Sequence, residues 1–212
     1  MRWLLFIWVA LAAGVARGED IVEVLERSQQ VRLESLQPAP VASQRAQKVR
    51  ESFDTLVRTL GLGQLAELRV IRGGILAETL HGHVVVANEA MGDWPEEDRL
   101  FVLAHELGHV ALAHWSQMGV MYQKWVPGMV TSQQTDAVAA LLGREASELA
   151  YQQEYEADAF ASRTLEGLGV SREDVFSVFV HLGLRKDTAT HPGTQKRLAS
   201  LRAAETKPPT AP

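Results

Sequence analysis

The stretch FVLAHELGHVALAH, residues 101–114, constrains this chain more than any other. It is apolar almost throughout, yet His105, Glu106 and His109 fall close together within it. Phe101, Val102, Leu103, Ala104, Leu107, Val110, Ala111 and Leu112 leave almost no face for solvent, so a helix here is expected to be buried all round. Ionisable side chains in such an interior are costly unless each finds a partner. Residues four apart on a helix stand about 40° apart around its axis, so the rings of His105 and His109 project from one face. Two imidazoles at that spacing can grip one ion. Glu106, three residues before His109, reaches a water at that ion rather than the ion itself. A bound cation is what would let an apolar helix hold this cluster.

Zinc suits two imidazoles better than calcium or magnesium, which prefer oxygen cages. A catalytic zinc has three protein ligands and one open position. The chain contains no cysteine, so the third ligand must be His, Asp or Glu. Glu154 and Asp158 lie four apart and share a helix face with Ala157, Ala161 and Leu165, an apolar stripe expected to point inward. Glu156 is expected to face away, toward the side of Arg163. This makes Glu154 the third ligand and Asp158 an acceptor that orients a ligand histidine or pairs with a cation. The remaining histidines carry less. His81 and His83 flank a turn, and His181 reads as a satisfied core histidine in an apolar helix. His114, five residues past His109, is expected to point away from the metal face and to be structural.

The ends of the chain differ from its body. Arg2 precedes an apolar run from Leu4 to Ala13 and a small-residue exit from Gly14 to Gly18, the layout of a secretory signal peptide cleaved after Ala16 or Gly18, with an uncleaved anchor as the alternative. Residues 1–18 are assigned to that signal, 19–205 to one domain and the proline-rich 206–212 to a disordered tail. Export predicts a periplasmic or secreted protein with no membrane span in the mature chain. Loss of Arg2 and Arg17 would shift the net charge from -5 to -7. An acidic exported domain without a basic stripe excludes nucleic acid as the expected partner. Without cysteine, the fold must be held by its own core.

Helical periodicity over Ser43–Leu60, stopped by Gly61, predicts the first helix of the mature domain. Ile75–Leu80 and His83–Asn88 read as strands joined at His81-Gly82, within a small antiparallel sheet. Asp93 and Glu96 suggest a capping box for the metal-site helix, expected to run to about Trp115. Residues 116–143 mix methionine, tryptophan and helix breakers, and read as a loop or helical excursion that could wall a cleft. A long helix is expected over Arg144–Leu165, then one capped by Ser171 and Asp174 and closed by Gly183, then Gln195–Arg202. The predicted class is α+β: a mostly helical, zincin-like domain with a small sheet.

HELGH, then EYEADAFA, then a helix and THPGTQKRL, resembles the gluzincin metallopeptidase family that includes HtpX and the CAAX-prenyl endopeptidases, over about Ile71–Leu201. The family's later E-x-x-x-D agrees with Glu154 as ligand and Asp158 beside it. The resemblance implies that His191 approaches the site and assists catalysis, and that Arg197 pairs with Asp158. Tyr151 stands where the family often has arginine, and ILAETL replaces its usual edge strand. Without the membrane spans of HtpX, the chain is closer to the soluble, exported, BepA-like branch. The resulting expectation is a zinc-dependent endopeptidase, one Zn2+ per chain, with Glu106 as general base. Its substrates would be proteins or peptides in exported-protein quality control or processing, with peripheral association with the membrane or envelope proteins. The competing expectations are a regulatory protease of the ImmA/IrrE type and a non-catalytic chaperone or assembly module using the same groove.

Overall fold

A computed structural model describes residues 18–205. The segment read as a signal peptide, up to residue 17, and the tail read as disordered, from residue 206, lie outside the described residues. Helix α1 (Ile21–Ser35) leads through a short strand β1 (Gln37–Pro38) to α2 (Gln44–Leu60). Strands β2 (Glu67–Arg72), β3 (Ala77–Leu80) and β4 (Val84–Asn88) come next, with a 3-10 turn at Glu89–Asp93. Five helices complete the described residues: α3 (Glu96–Ala111), α4 (His114–Trp125), α5 (Ser132–Gly167), α6 (Arg172–Leu182) and α7 (Thr194–Glu205).

Local signals account for several boundaries. The Ser43 side chain accepts the Ala46 N–H at the start of α2, and Gly61 ends it in the left-handed region at φ 68°. Ser171 caps α6 through the Asp174 N–H, and Gly183 closes it. His81 and Gly82, both at positive φ, form the tight turn between β3 and β4. Helix α1, by contrast, precedes the helix expected to be first. Its capping box, Asp20 with Glu23, is the available signal, but only Ile21 is buried, so the apolar pattern is faint. The expected Asp93–Glu96 box is absent, because residues 89–93 coil as a 3-10 turn and Pro95 occupies the cap position of α3. Helix α5 begins at Ser132, well before Arg144, because Thr131 caps it.

The sheet is mixed rather than antiparallel. Its order is β1-β2-β4-β3, with β2 and β4 parallel and the other two pairs antiparallel. The reason lies in β4: all five residues of VVVAN are buried, without the alternation of a half-exposed strand. Such a strand takes the interior, and the more polar β3 is left at the edge. Val70, Val85 and Ala87 face the main core with α2 and α3, while Ile71, Leu80, Val84 and Val86 meet Leu33 and Leu36 near the end of α1. Helix α3 runs through the middle of the molecule and is buried without interruption from Asp98 to Gly108.

One close approach is testable. A Cβ on Gly92 would sit 2.5 Å from the Arg45 Cα, against the backbone of α2. Gly92→Ala is therefore expected to lower stability by about 1–3 kcal/mol, as overpacking does. Urea unfolding of both proteins measures it, and an unchanged midpoint would refute this packing.

Candidate metal centre

Helix α3 supplies His105, Glu106 and His109, and α5 supplies Glu154 and Asp158. The two helices can cross closely because Gly108 faces α5: a Cβ there would lie 3.2 Å from both the Ala157 Cα and the Phe160 ring. His105 and His109 turn their Nε2 atoms toward one another at 3.2 Å. Glu154 completes the triangle, with Oε2 3.6 Å from His105 Nε2 and Oε1 3.4 Å from His109 Nε2. Among the described residues this trio is the group of metal-binding side chains whose donor atoms converge.

Each ring is held from behind. His105 Nδ1 donates to Asp158 Oδ1 at 2.9 Å, a tautomer assigned from the acceptor, which leaves Nε2 as a bare lone pair. Asp158 is fully buried and takes a two-point bond from Arg197, through Nε at 2.7 Å and through Nη2. Burial alone would raise the Asp158 carboxyl, but the bonds from Arg197 and His105 hold it below the ordinary carboxylate range. His109 Nδ1 meets His114 Nδ1 at 2.9 Å, and His114 Nε2 stands 3.2 Å from Glu156 Oε2.

His114 and Glu156 thus depart from the expectation that both face away. Helix α3 stops at Ala111, and Ala113 at φ 54° swings His114 back beneath His109 before α4 begins. Burial, and then His109, push the His114 pKa down to about 4, so the ring is neutral at pH 7.

The electrostatics favour a cation. Burial opposes charge on His105, but the Asp158 hydrogen bond and Glu154 outweigh it and leave its pKa above the ordinary value. Burial likewise works to raise Glu154, yet His105, His109 and Arg197 hold it at about 2. Glu154 Oε2 is buried and receives no hydrogen bond. Glu106, Glu154 and Asp158 are opposed nearby by the guanidinium of Arg197. A bare ring nitrogen, an orphaned carboxylate oxygen and an excess of buried negative charge fit a divalent cation.

Glu106 is buried, and the Thr79 hydroxyl of β3 donates to its Oε2 at 2.8 Å. His191 lies at the rim: its exposed ring brings Nε2 to 3.7 Å from Glu154 Oε1, while Nδ1 contacts Thr190 Oγ1 at 2.8 Å. Tyr151, in place of the expected arginine, donates its hydroxyl to the Thr188 carbonyl at 2.7 Å and so ties the His191 loop to α5. The supporting contacts of Thr79, Tyr151, His114 and Glu156 are not visible in the sequence. Thr79 and Tyr151 act across chain separations that no local pattern reports. The centre opens into a cleft of about 740 Å³, bordered by the edge strand β3 and by Trp115, Met118 and Pro192. Two of the Met and Trp residues near α4 thus wall the cleft, whereas Met121 is core.

A buried His-His-Glu set on crossing helices, a carboxylate beside it and an edge strand along the cleft define a metallopeptidase. The chain belongs to peptidase family M48, whose sequence model matches residues 43–205. The crystal structure of S. mikatae Ste24p is similar in fold, with a TM-score of 0.56 at 15% identity, covering 84% of this chain and 55% of that one. The chain therefore matches only about half the length of that relative. No curated protein matches the chain significantly.

Proposed function

We propose that the protein is a zinc endopeptidase in which His105, His109 and Glu154 hold the ion and Glu106 is the general base. The spacing of the three ligands carries this reading. Ligand atoms around a tetrahedral zinc stand roughly 3.3 Å apart; the two Nε2 atoms are 3.2 Å apart, and the Glu154 carboxylate faces both, with Oε1 3.4 Å from His109 and Oε2 3.6 Å from His105. When bound, zinc supplies Lewis acidity and makes water nucleophilic near neutral pH.

The chain's own groups do the rest. Glu106 takes a proton from the attacking water and returns it to the leaving amine. The Thr79 hydroxyl occupies Oε2, which leaves Oε1 to meet the water. His191, at the cleft rim, donates toward the oxygen that gains charge as the carbonyl is attacked. Asp158 keeps the His105 Nε2 lone pair aimed inward, and Arg197 neutralises Asp158. An extended peptide pairs by main-chain hydrogen bonds with the free edge of β3.

The leader-like Leu4–Ala13 run supports a role in the periplasm or outside the cell, in quality control or processing of exported proteins. Among the described residues no helix is long and apolar enough to cross a membrane. Contact with the membrane or envelope proteins would then be peripheral.

Protein spanning residues 19–212, incubated with an unfolded polypeptide, is expected to cleave it, to stop in excess chelator and to recover with one equivalent of zinc. Binding without cleavage would instead favour a chaperone-like module, and cleavage that survives removal of all metal would refute the zinc assignment.

A further inference from the structure

We infer that His114 and Glu156 position His109 for the metal, forming a relay that matches the direct Asp158 contact of His105; the inference rests on the zinc reading above. In an unbroken helix a residue five positions on lies about 140° around the axis, too far to meet its partner. Here the chain leaves α3 after Ala111 and adopts left-handed geometry at Ala113, φ 54° and ψ 40°. Alanine enters that region only at a cost, and such costs collect where function demands them. The result is a buried His114 ring set edge-on to His109, 78° between planes and 4.9 Å between centroids.

The protons close without a leftover. If His109 binds through Nε2, its Nδ1 carries hydrogen and donates to His114 Nδ1 at 2.9 Å. The remaining His114 hydrogen is then on Nε2, which donates to Glu156 Oε2 at 3.2 Å. Glu156 is steadied in turn by Gln152, whose Nε2 donates to Oε1 at 2.8 Å. The buried Gln153 side chain donates to the His114 carbonyl at 3.1 Å and fixes the backbone that carries the ring. One turn of α5 therefore supplies Gln153 to hold His114, Glu154 to face the ion and Glu156 to end the relay. The two ring donors on this path, His109 Nδ1 and His114 Nε2, each have one acceptor, which sets both the tautomer and the tilt of His109.

The test is zinc affinity, measured by competition with a chromophoric chelator, for wild type, His114→Phe, His114→Asn and Glu156→Ala. Phenylalanine fills the space without an acceptor, whereas the asparagine amide oxygen can stand near the lost Nδ1. His114→Phe is expected to weaken zinc binding by about 10–100-fold, the usual effect of removing a ligand's hydrogen-bond partner. His114→Asn should recover most of that loss, and Glu156→Ala should show a smaller loss in the same direction. Thermal unfolding of the metal-free proteins separates positioning from packing, since positioning predicts little change there. Equal affinity in wild type and His114→Phe, or equal loss with Phe and Asn, would overturn the inference. If His114→Phe does not fold, the half-exposed Glu156 decides: unchanged zinc affinity in Glu156→Ala overturns the relay. A wild-type protein that takes up no zinc would defeat the underlying metal reading instead.

Discussion

Glu106→Gln is expected to bind zinc as tightly as the wild type and to cleave an unfolded polypeptide about a thousand-fold more slowly, within the range contributed by a general base. The substitution removes a proton acceptor and little else. Glutamine keeps the volume of the side chain, and its amide oxygen can still accept the Thr79 hydroxyl now bonded to Oε2 at 2.8 Å. Glu106 is not among the three converging donors, so zinc content should not change. His105→Ala is the contrasting variant, because it deletes a donor and should lose metal and hydrolysis together. Metal analysis and single-turnover cleavage of both proteins measure this. Glu106→Gln with wild-type rates would assign proton transfer to another group.

Arg197→Leu should carry the largest stability cost. Asp158 is completely buried, and Arg197 supplies its compensating positive charge through a two-point bond. Removing one member of a buried pair leaves a charge without compensation, at about 3–5 kcal/mol. For a chain of this size that lowers the thermal midpoint by about 6–20 °C. The cost arises from the carboxylate left behind, so Arg197→Leu with Asp158→Asn should recover a large part of it. The asparagine amide would still offer an oxygen to the His105 Nδ1–H. Calorimetry of wild type, both single variants and the double variant closes the cycle. A double variant no more stable than Arg197→Leu would show that the cost lies in lost packing of the long side chain over Phe179.

The site is legible in the sequence to the extent that helical periodicity and chemistry dictate it. His105 and His109 must share a face at four-residue spacing, and the unbroken apolar context requires that face to be buried. The stripe of Ala157, Ala161 and Leu165 likewise turns Glu154 and Asp158 inward, and all three apolar residues are fully buried. Ser43, Gly61, Ser171 and Gly183 mark helix ends because capping is a contact between near neighbours. His114 departs from its expected direction because projecting its ring from the sequence assumes a continuous helix. The break at Ala113 has no residue signal, since alanine is the last residue a left-handed position would suggest.

From its residues alone, this chain determined which donors could gather at one ion, on which helices, and that the surroundings would be apolar. Those are properties of short repeats along a backbone of fixed geometry. Tertiary structure decided how the donors are held: Thr79 at Glu106, Gln153 and Glu156 at His114, and β3 at the edge beside the parallel pair. These contacts join residues 27 to 42 positions apart, or arise from which strand wins the buried centre. Such outcomes depend on competition among all the packed elements at once, which no local pattern encodes.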